Sequence, residues 1–465
     1  MIIDSDEVAV SLDDTLRRLP PAAVEFTREI FDHHWSEASW LYARREVLHV
    51  QGHLLSFDQW AELEERTQAH VMALERGGRL VLGECHERAT EGDAGELHTA
   101  MRVLCRRDEA GALNELVEAL PWQEPKRAAA VADALTWDAP PRWQELVAAI
   151  LEDEQAPEDA LGPLATVVGL RRWALGELLL GVLEDRVGDL AATAEAVGRL
   201  LVPEALPTLS ALVTSDQESR VRGAAITAIA CADPRNAVAY LGQVVGTEPW
   251  AAVPLALTAG AEALPYLAAA ARHLRRPEVL HGLGLLGCTE AIPMLLEALA
   301  EDALGEAAAE ALYLITGAPL HEETRLVDDA DEGDGDDEND ESAGLLAMRL
   351  PTSPERWKAW IDTQGPACLR QAGARARLGV PYDPFQVLEE LGRTTLRPEL
   401  REAMAVELSI RYRVPQRYST RLLVTEQRRA IGQLRELLRG LRIEPGSWVF
   451  EGRPLRSMGT RTRPR

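Results

Sequence analysis

Ala205-Leu-Pro-Thr-Leu209, Ala263-Leu-Pro-Tyr-Leu267 and Ala291-Ile-Pro-Met-Leu295 are one pattern written three times. Four further stretches carry it in looser form: Ala112-Leu-Asn-Glu-Leu116, Arg142-Trp-Gln-Glu-Leu146, Ala174-Leu-Gly-Glu-Leu178 and Ala237-Val-Ala-Tyr-Leu241. Their closing leucines are separated by 30, 32, 31, 32, 26 and 28 residues, a near-constant period that identifies a repeat. Pro207, Pro265 and Pro293 fit only the first turn of a helix, where a missing N–H has no intrahelical partner to lose. In mid-helix each would cost about 3 kcal/mol. The anchor therefore opens a helix.

What precedes the anchor is helical too. Val221–Ala232 and Pro277–Cys288 have the small-and-apolar periodicity of a first helix, and Asp233-Pro234, Gly260 or Gly287 supplies the break before the second. The last unit is cut short after Ala308-Ala-Glu-Ala-Leu-Tyr-Leu-Ile-Thr-Gly317. Helix, tight turn and helix, repeated, resemble the short HEAT-like repeats of the phycobilisome-lyase type. That resemblance implies an all-α fold, an α-solenoid of HEAT-like helical hairpins with flanking helical segments. Each pair would bury its apolar face only against its neighbours.

Working outward, residues 1–82 form an N-terminal helical segment, with helices expected over Ala22–His34 and Phe57–Arg76. The repeat array spans 83–318. Residues 319–346 are read as a disordered acidic linker, because the carboxylates between Asp328 and Glu341 come with almost no apolar content to offset the entropy of ordering. A C-terminal helical segment, 347–465, ends in an Arg-rich tail.

Composition narrows the function classes. Apolar residues make up 46% of the 465, mostly Leu, Ala and Val, which suits stacked helices. The net charge of −26 argues against non-specific attraction to nucleic acid. The imbalance is local, however: 411–465 holds 14 Arg against 4 Glu. Lys126 and Lys358 are the only lysines, so the Arg preference reads as a compositional habit. Five scattered cysteines without a CxxC suit free, mostly buried thiols in a reducing compartment. An acidic N-terminus and no long apolar run predict a cytoplasmic protein that does not enter the membrane.

A looser resemblance spans most of the chain. Gly52-His-Leu-Leu, the run Leu63–Leu74, Pro354-Glu-Arg-Trp357-Lys-Ala-Trp360, Gly373-Ala-Arg-Ala-Arg-Leu-Gly379 and Leu400–Leu408 resemble a proteobacterial family of HEAT-repeat proteins that carries no functional name. Some of its members are encoded near type VI secretion components, which implies an accessory or adaptor role.

No catalytic, cofactor or metal residue is assigned. His86-Glu87 and His321-Glu322 resemble the iron-binding pairs of deoxyhypusine hydroxylase, but they lie at or beyond opposite ends of the array. His70, Cys85, His86 and His98 match no zinc spacing, and Gly52 interrupts the pair His49 and His53. The acidic run fails as an EF-hand in both registers, with Ala330 at a ligand position and Asn339 last when Gly333 is sixth. Gly282-Leu-Gly-Leu-Leu-Gly287 has dinucleotide-loop spacing inside a helical repeat, so it reads as close helix packing.

The remaining candidates are arginines. On a helix from Ser419 to Leu441, Arg421, Arg428, Arg435 and Arg439 would share one face, with Ile431, Leu434 and Leu438 on another. That face is expected to meet an acidic surface, either a partner protein or the chain's own 328–341 segment. Arg171, Arg172 and Trp173 form a second candidate cluster. The reading is a non-enzymatic protein-interaction scaffold or adaptor. The alternatives are an enzyme or enzyme subunit with a pocket of dispersed residues, and a nucleic-acid binder using the Arg-rich C-terminus.

Overall fold

The computed structural model describes residues 20–50, 55–215, 218–325, 346–371, 373–393, 395–450 and 452–454. The acidic 328–341 segment, the tail beyond 454 and His53 lie outside the described residues. The chain is mostly helical, with twenty-two α-helices and three two-stranded ribbons among the described residues. It divides into two compact units, one comprising residues 1–50, 58–232 and 416–430, the other 51–57, 233–415 and 431–465. Residues 83–318 are thus shared between them.

The first unit opens with α1 (Pro21–Val50), α2 (Phe57–Glu75) and α3 (Gly78–Thr90). Helix pairs follow: α4 (Ala94–Arg106) and α5 (Ala110–Leu116), α6 (Pro125–Asp138) and α7 (Trp143–Glu152), α8 (Glu158–Arg171) and α9 (Gly176–Asp185), α10 (Leu190–Leu200) and α11 (Leu206–Thr214), then α12 (Ser219–Ala232). The first helices α4, α6, α8, α10 and α12 pack each on the next, and α7, α9 and α11 lie against the first helix of the following pair. α1 and α3 cover α4.

The second unit repeats the scheme with α13 (Pro234–Val244), α14 (Ala252–Thr258), α15 (Leu264–Leu274), α16 (Pro277–Leu286), α17 (Ile292–Ala298) and α18 (Gly305–Thr316). Here α14, α16 and α18 form the row of first helices, with α13, α15 and α17 leading into them. Beyond come the ribbon β1 (Glu322–Arg325) and β2 (Leu346–Arg349), α19 (Pro354–Gln364), the short pair β3 (Ala376–Arg377) and β4 (Val380–Pro381), α20 (Pro384–Leu391) and α21 (Pro398–Tyr412). α22 (Val424–Arg439), which belongs to the first unit as far as Ala430, and the ribbon β5 (Val449–Phe450) and β6 (Arg453–Pro454) are the last described elements. α21 packs on α14, and β3 on α18.

Each of the seven anchors lies on the second helix of a pair, and Pro207, Pro265 and Pro293 occupy its first turn. Leu116, Leu209, Leu241, Leu267 and Leu295 are buried. In α7 and α9 the buried position is one residue later, at Val147 and Leu179, with Leu146 and Leu178 only half-buried. The first helices approach closely because glycine faces alanine. A Cβ on Gly169 would stand 2.9 Å from Ala196 Cα, one on Gly198 2.9 Å from Ala228 Cα, and one on Gly284 2.6 Å from Ala311 Cα. The glycines at 282–287 therefore serve helix packing, and Gly287 ends α16 in the left-handed conformation.

Two expectations need correction. The stretch 319–346 is not disordered at its ends: Glu322–Arg325 and Leu346–Arg349 pair as antiparallel strands, because ladder hydrogen bonds satisfy the backbone there. The C-terminal helix begins at Val424, not Ser419, because residues 419–423 are held in a turn by bonds from distant helices described below.

Candidate interaction surface

Three polar side chains at the C-terminal ends of first helices in the first unit reach out to one non-helical stretch of chain, residues 416–423. Arg172 caps α8 in the left-handed conformation. Its Nη1 donates to Arg199 O at the end of α10 (2.8 Å) and to Gln416 O (3.2 Å). Arg199 Nη1 donates to Tyr418 O at 3.2 Å. At the end of α6, Trp137 Nε1 donates to Arg421 O at 3.0 Å, and Arg45 of α1 reaches the same carbonyl. Helix C-termini expose carbonyl groups and a negative dipole end, so cationic residues belong there. These ones also hold a passing main chain.

One side chain anchors that chain segment. Arg421 donates from Nε (3.0 Å) and Nη2 (2.5 Å) to the two oxygens of Asp133, which is 1% exposed on α6. Tyr42 Oη donates to the same carboxylate at 3.1 Å. Asp133, acting against burial, keeps the Arg421 guanidinium firmly charged. Burial, and then Asp133, pushes the Tyr42 phenol well above its ordinary range, so it stays a donor. Next to the anchor, Glu64 of α2 accepts from Val424 N at 2.7 Å and starts α22. Arg45 pairs with Glu64 and lies 4.6 Å from the Trp137 ring. A two-oxygen, two-nitrogen pair is directional as well as strong.

Of the candidate residues, only Arg421 and Arg172 meet at this surface. Arg421 is not on the α22 face, since it precedes the helix. Arg428 pairs with Asp58, Arg435 with Glu389 (2.6 Å) and Arg439 with Glu436 one turn earlier. Arg171 caps α6 by donating to Thr136 O and Ala139 O. Trp173 is 6% exposed and packs in the core beside Arg171. Of the apolar stripe, Leu434 and Leu438 are buried and Ile431 is half-buried. Asp133, Tyr42, Trp137, Arg45 and Arg199 were not singled out from the sequence. No local pattern marks them, because Arg421 and Asp133 are 288 residues apart.

Other groups with chemical potential are placed as follows. Cys85, Cys105, Cys231 and Cys288 are buried free thiols. Burial pushes Cys85 and Cys288 up to about 12, away from nucleophilic reactivity. His98 is fully buried, its ring stacked 3.7 Å from the Tyr42 ring. Among the described residues no set of three or more His, Cys, Asp or Glu side chains is placed to hold a metal ion. An open cleft of about 370 Å³ is lined by Asp32, Glu84, Glu87, Glu91 and Glu96. Its cation is the chain's own Arg88, paired with Glu96 (2.7 Å), Asp32 and Glu84 and lying over Trp35. No described helix is long and apolar enough to cross a membrane.

No protein-family model, curated protein or solved structure matches the chain. What this surface does has to follow from its geometry.

Proposed function

We propose that the chain is a non-enzymatic interaction scaffold, its helix pairs a HEAT-like α-solenoid, and that its first unit holds a non-helical segment of a partner protein. One observation carries this reading: the carbonyls of Gln416, Tyr418 and Arg421 are each taken by side chains from different helices, with a single buried carboxylate for an arginine anchor. Main-chain contacts tolerate many sequences, and one charged pocket sets the register. A partner segment with an arginine at the anchor position satisfies the same donors. The chain's own residues 416–423 hold the surface until such a segment displaces them. Because they are tethered, they compete at an effective concentration on the order of millimolar.

The family resemblance directs the search for that partner to type VI secretion components in the cytoplasm. The test is affinity capture from native lysate with three forms of the full chain: wild type, Arg421→Ala, and Arg421→Ala with Asp133→Ala. Releasing the internal segment should raise capture of a discrete partner, and removing the anchor carboxylate as well should abolish that gain. An identical set of captured proteins from all three forms would overturn the reading.

A further inference from the structure

Arg375, Arg377 and Arg411 converge inside the second unit on a single carboxylate, Glu407. Both Arg375 and Arg377 come from the glycine-flanked segment 373–379, Arg377 on the short strand β3 and Arg375 just before it, in a bridge with Cys288. Arg375 bonds Glu407, and Arg377 Nη2 lies 3.1 Å from its other oxygen. Arg411, one turn beyond Glu407 on α21, donates from Nε at 2.8 Å. All three guanidinium side chains are at most 1% exposed. They are fixed further by carbonyl groups at helix ends: Leu286 O for Arg375, Leu285 O for Arg377, Ala256 O and Ala259 O for Arg411. Tyr382 lies 3.4 Å from the Arg375 guanidinium carbon, and the partly exposed Trp448 lies 4.4 Å from it.

The donors outnumber what the chain supplies. Arg375 Nη1, Arg377 Nε and Nη1, and Arg411 Nη1 have no hydrogen-bond partner among the described residues, nor do the hydroxyls of Tyr382 and Tyr412. The charges do not balance either. Three guanidinium groups, which do not lose their protons in proteins, face one carboxylate. The nearby Glu390 is fully buried, and its carboxyl is pushed up by burial. The surplus is two positive charges when Glu390 keeps its proton and one when it ionises. An uncompensated buried ion is costly, by several kcal/mol after relaxation.

We infer that this cluster is a binding site for a small oxyanion of the phosphate class. A mono- or dianion with several acceptor oxygens matches both the surplus charge and the number of free N–H and O–H groups. Fixed arginine forks are the donors best suited to such an ion. The ion would act as a structural counter-charge joining segment 373–379 to α21.

Inorganic phosphate is the probe. Wild-type protein equilibrated with phosphate, desalted and denatured should release about one phosphate per chain. Its melting temperature should rise saturably with phosphate at constant ionic strength, and not with chloride. Arg377→Met, which removes two of the free donor atoms and one charge, should lose both effects. Should that variant fail to fold, Tyr412→Phe leaves the charges intact and should weaken phosphate binding about threefold to tenfold, the worth of one hydrogen bond. Absence of released phosphate together with equal melting in phosphate and chloride would overturn the assignment. So would an equal rise with chloride, or undiminished binding in either variant.

Discussion

Both units bury arginine, and they use it in opposite ways. In the first unit Arg421 faces Asp133 and Glu46, Arg45 faces Glu64 and Glu46, and Arg102 faces Asp138, so the carboxylates at least match these guanidiniums in number. A further Arg45 donor, and the side chain of Arg172, go to the main-chain carbonyls of Arg421 and Gln416. In the second unit three guanidiniums share Glu407 and keep free N–H groups. A balanced cluster can clamp a piece of polypeptide; an unbalanced one calls for an ion from outside. Arginine count alone does not distinguish them.

The sharpest way to break this contrast is to remove the shared carboxylate. Glu407→Gln should cost about 3–5 kcal/mol in urea unfolding, because it removes the carboxylate that three buried cations share. A cost below about 1 kcal/mol would mean the cluster is compensated by something other than Glu407. Asp133→Asn should cost less, about 1–3 kcal/mol, the range for a charged hydrogen bond. Its partner Arg421 is 30% exposed and can recover hydration, so a larger loss than in Glu407→Gln would reverse the comparison.

Acid should reach the two units at different points. Burial, then Arg102, Arg45 and Arg421, holds His98 neutral with its pKa well below the ordinary 6.5. The unfolded chain gains that proton near 6.5 and the folded chain does not. Stability therefore falls as pH drops below 6.5, by about 1.4 kcal/mol per pH unit from this residue. Glu407 is also shifted downward, but from the lower carboxylate range: against burial, the three arginines depress its carboxyl. Its contribution is present above the ordinary carboxylate range and is lost only as pH falls below it, so the second unit should outlast the first between pH 6.5 and about 4.5. Glu46 and Glu64, whose carboxyls burial raises, offset part of the loss once the pH enters their range. His98→Phe should flatten the slope between pH 6.5 and 5, measured by urea midpoints across pH; an unchanged slope would remove His98 from the account. The smallest effect belongs to the exposed pair Arg439 and Glu436, where Arg439→Ala should change stability by no more than about 0.5 kcal/mol.

The repeat was legible because its signals are local. Proline in a first turn, a small-residue first helix and a buried leucine all follow from neighbouring residues, and they place seven second helices. The register slips at Val147 and Leu179 because adjacent apolar residues, Leu146-Val147 and Leu178-Leu179, leave the phase of the helix open without a proline to fix it. Ser419–Leu423 reads as helix by composition, but the bonds from Trp137, Arg45 and Asp133 outweigh local propensity. The arginines at 375 and 377 read as compositional habit. Their alternation beside glycines was the available sign that both point one way, yet nothing local shows that Glu407 and Arg411 meet them.

The most direct measurement is fluorescence anisotropy of a labelled peptide copying Arg413–Thr425, titrated with the full-length Arg421→Ala protein. Freed of its own anchor, that protein should bind the peptide saturably. Wild type should bind it far more weakly, and Arg421→Ala with Asp133→Ala should not bind it. Failure of the Arg421→Ala protein to bind, or equal binding by all three, would contradict the claim that the first unit is built to hold a segment of polypeptide.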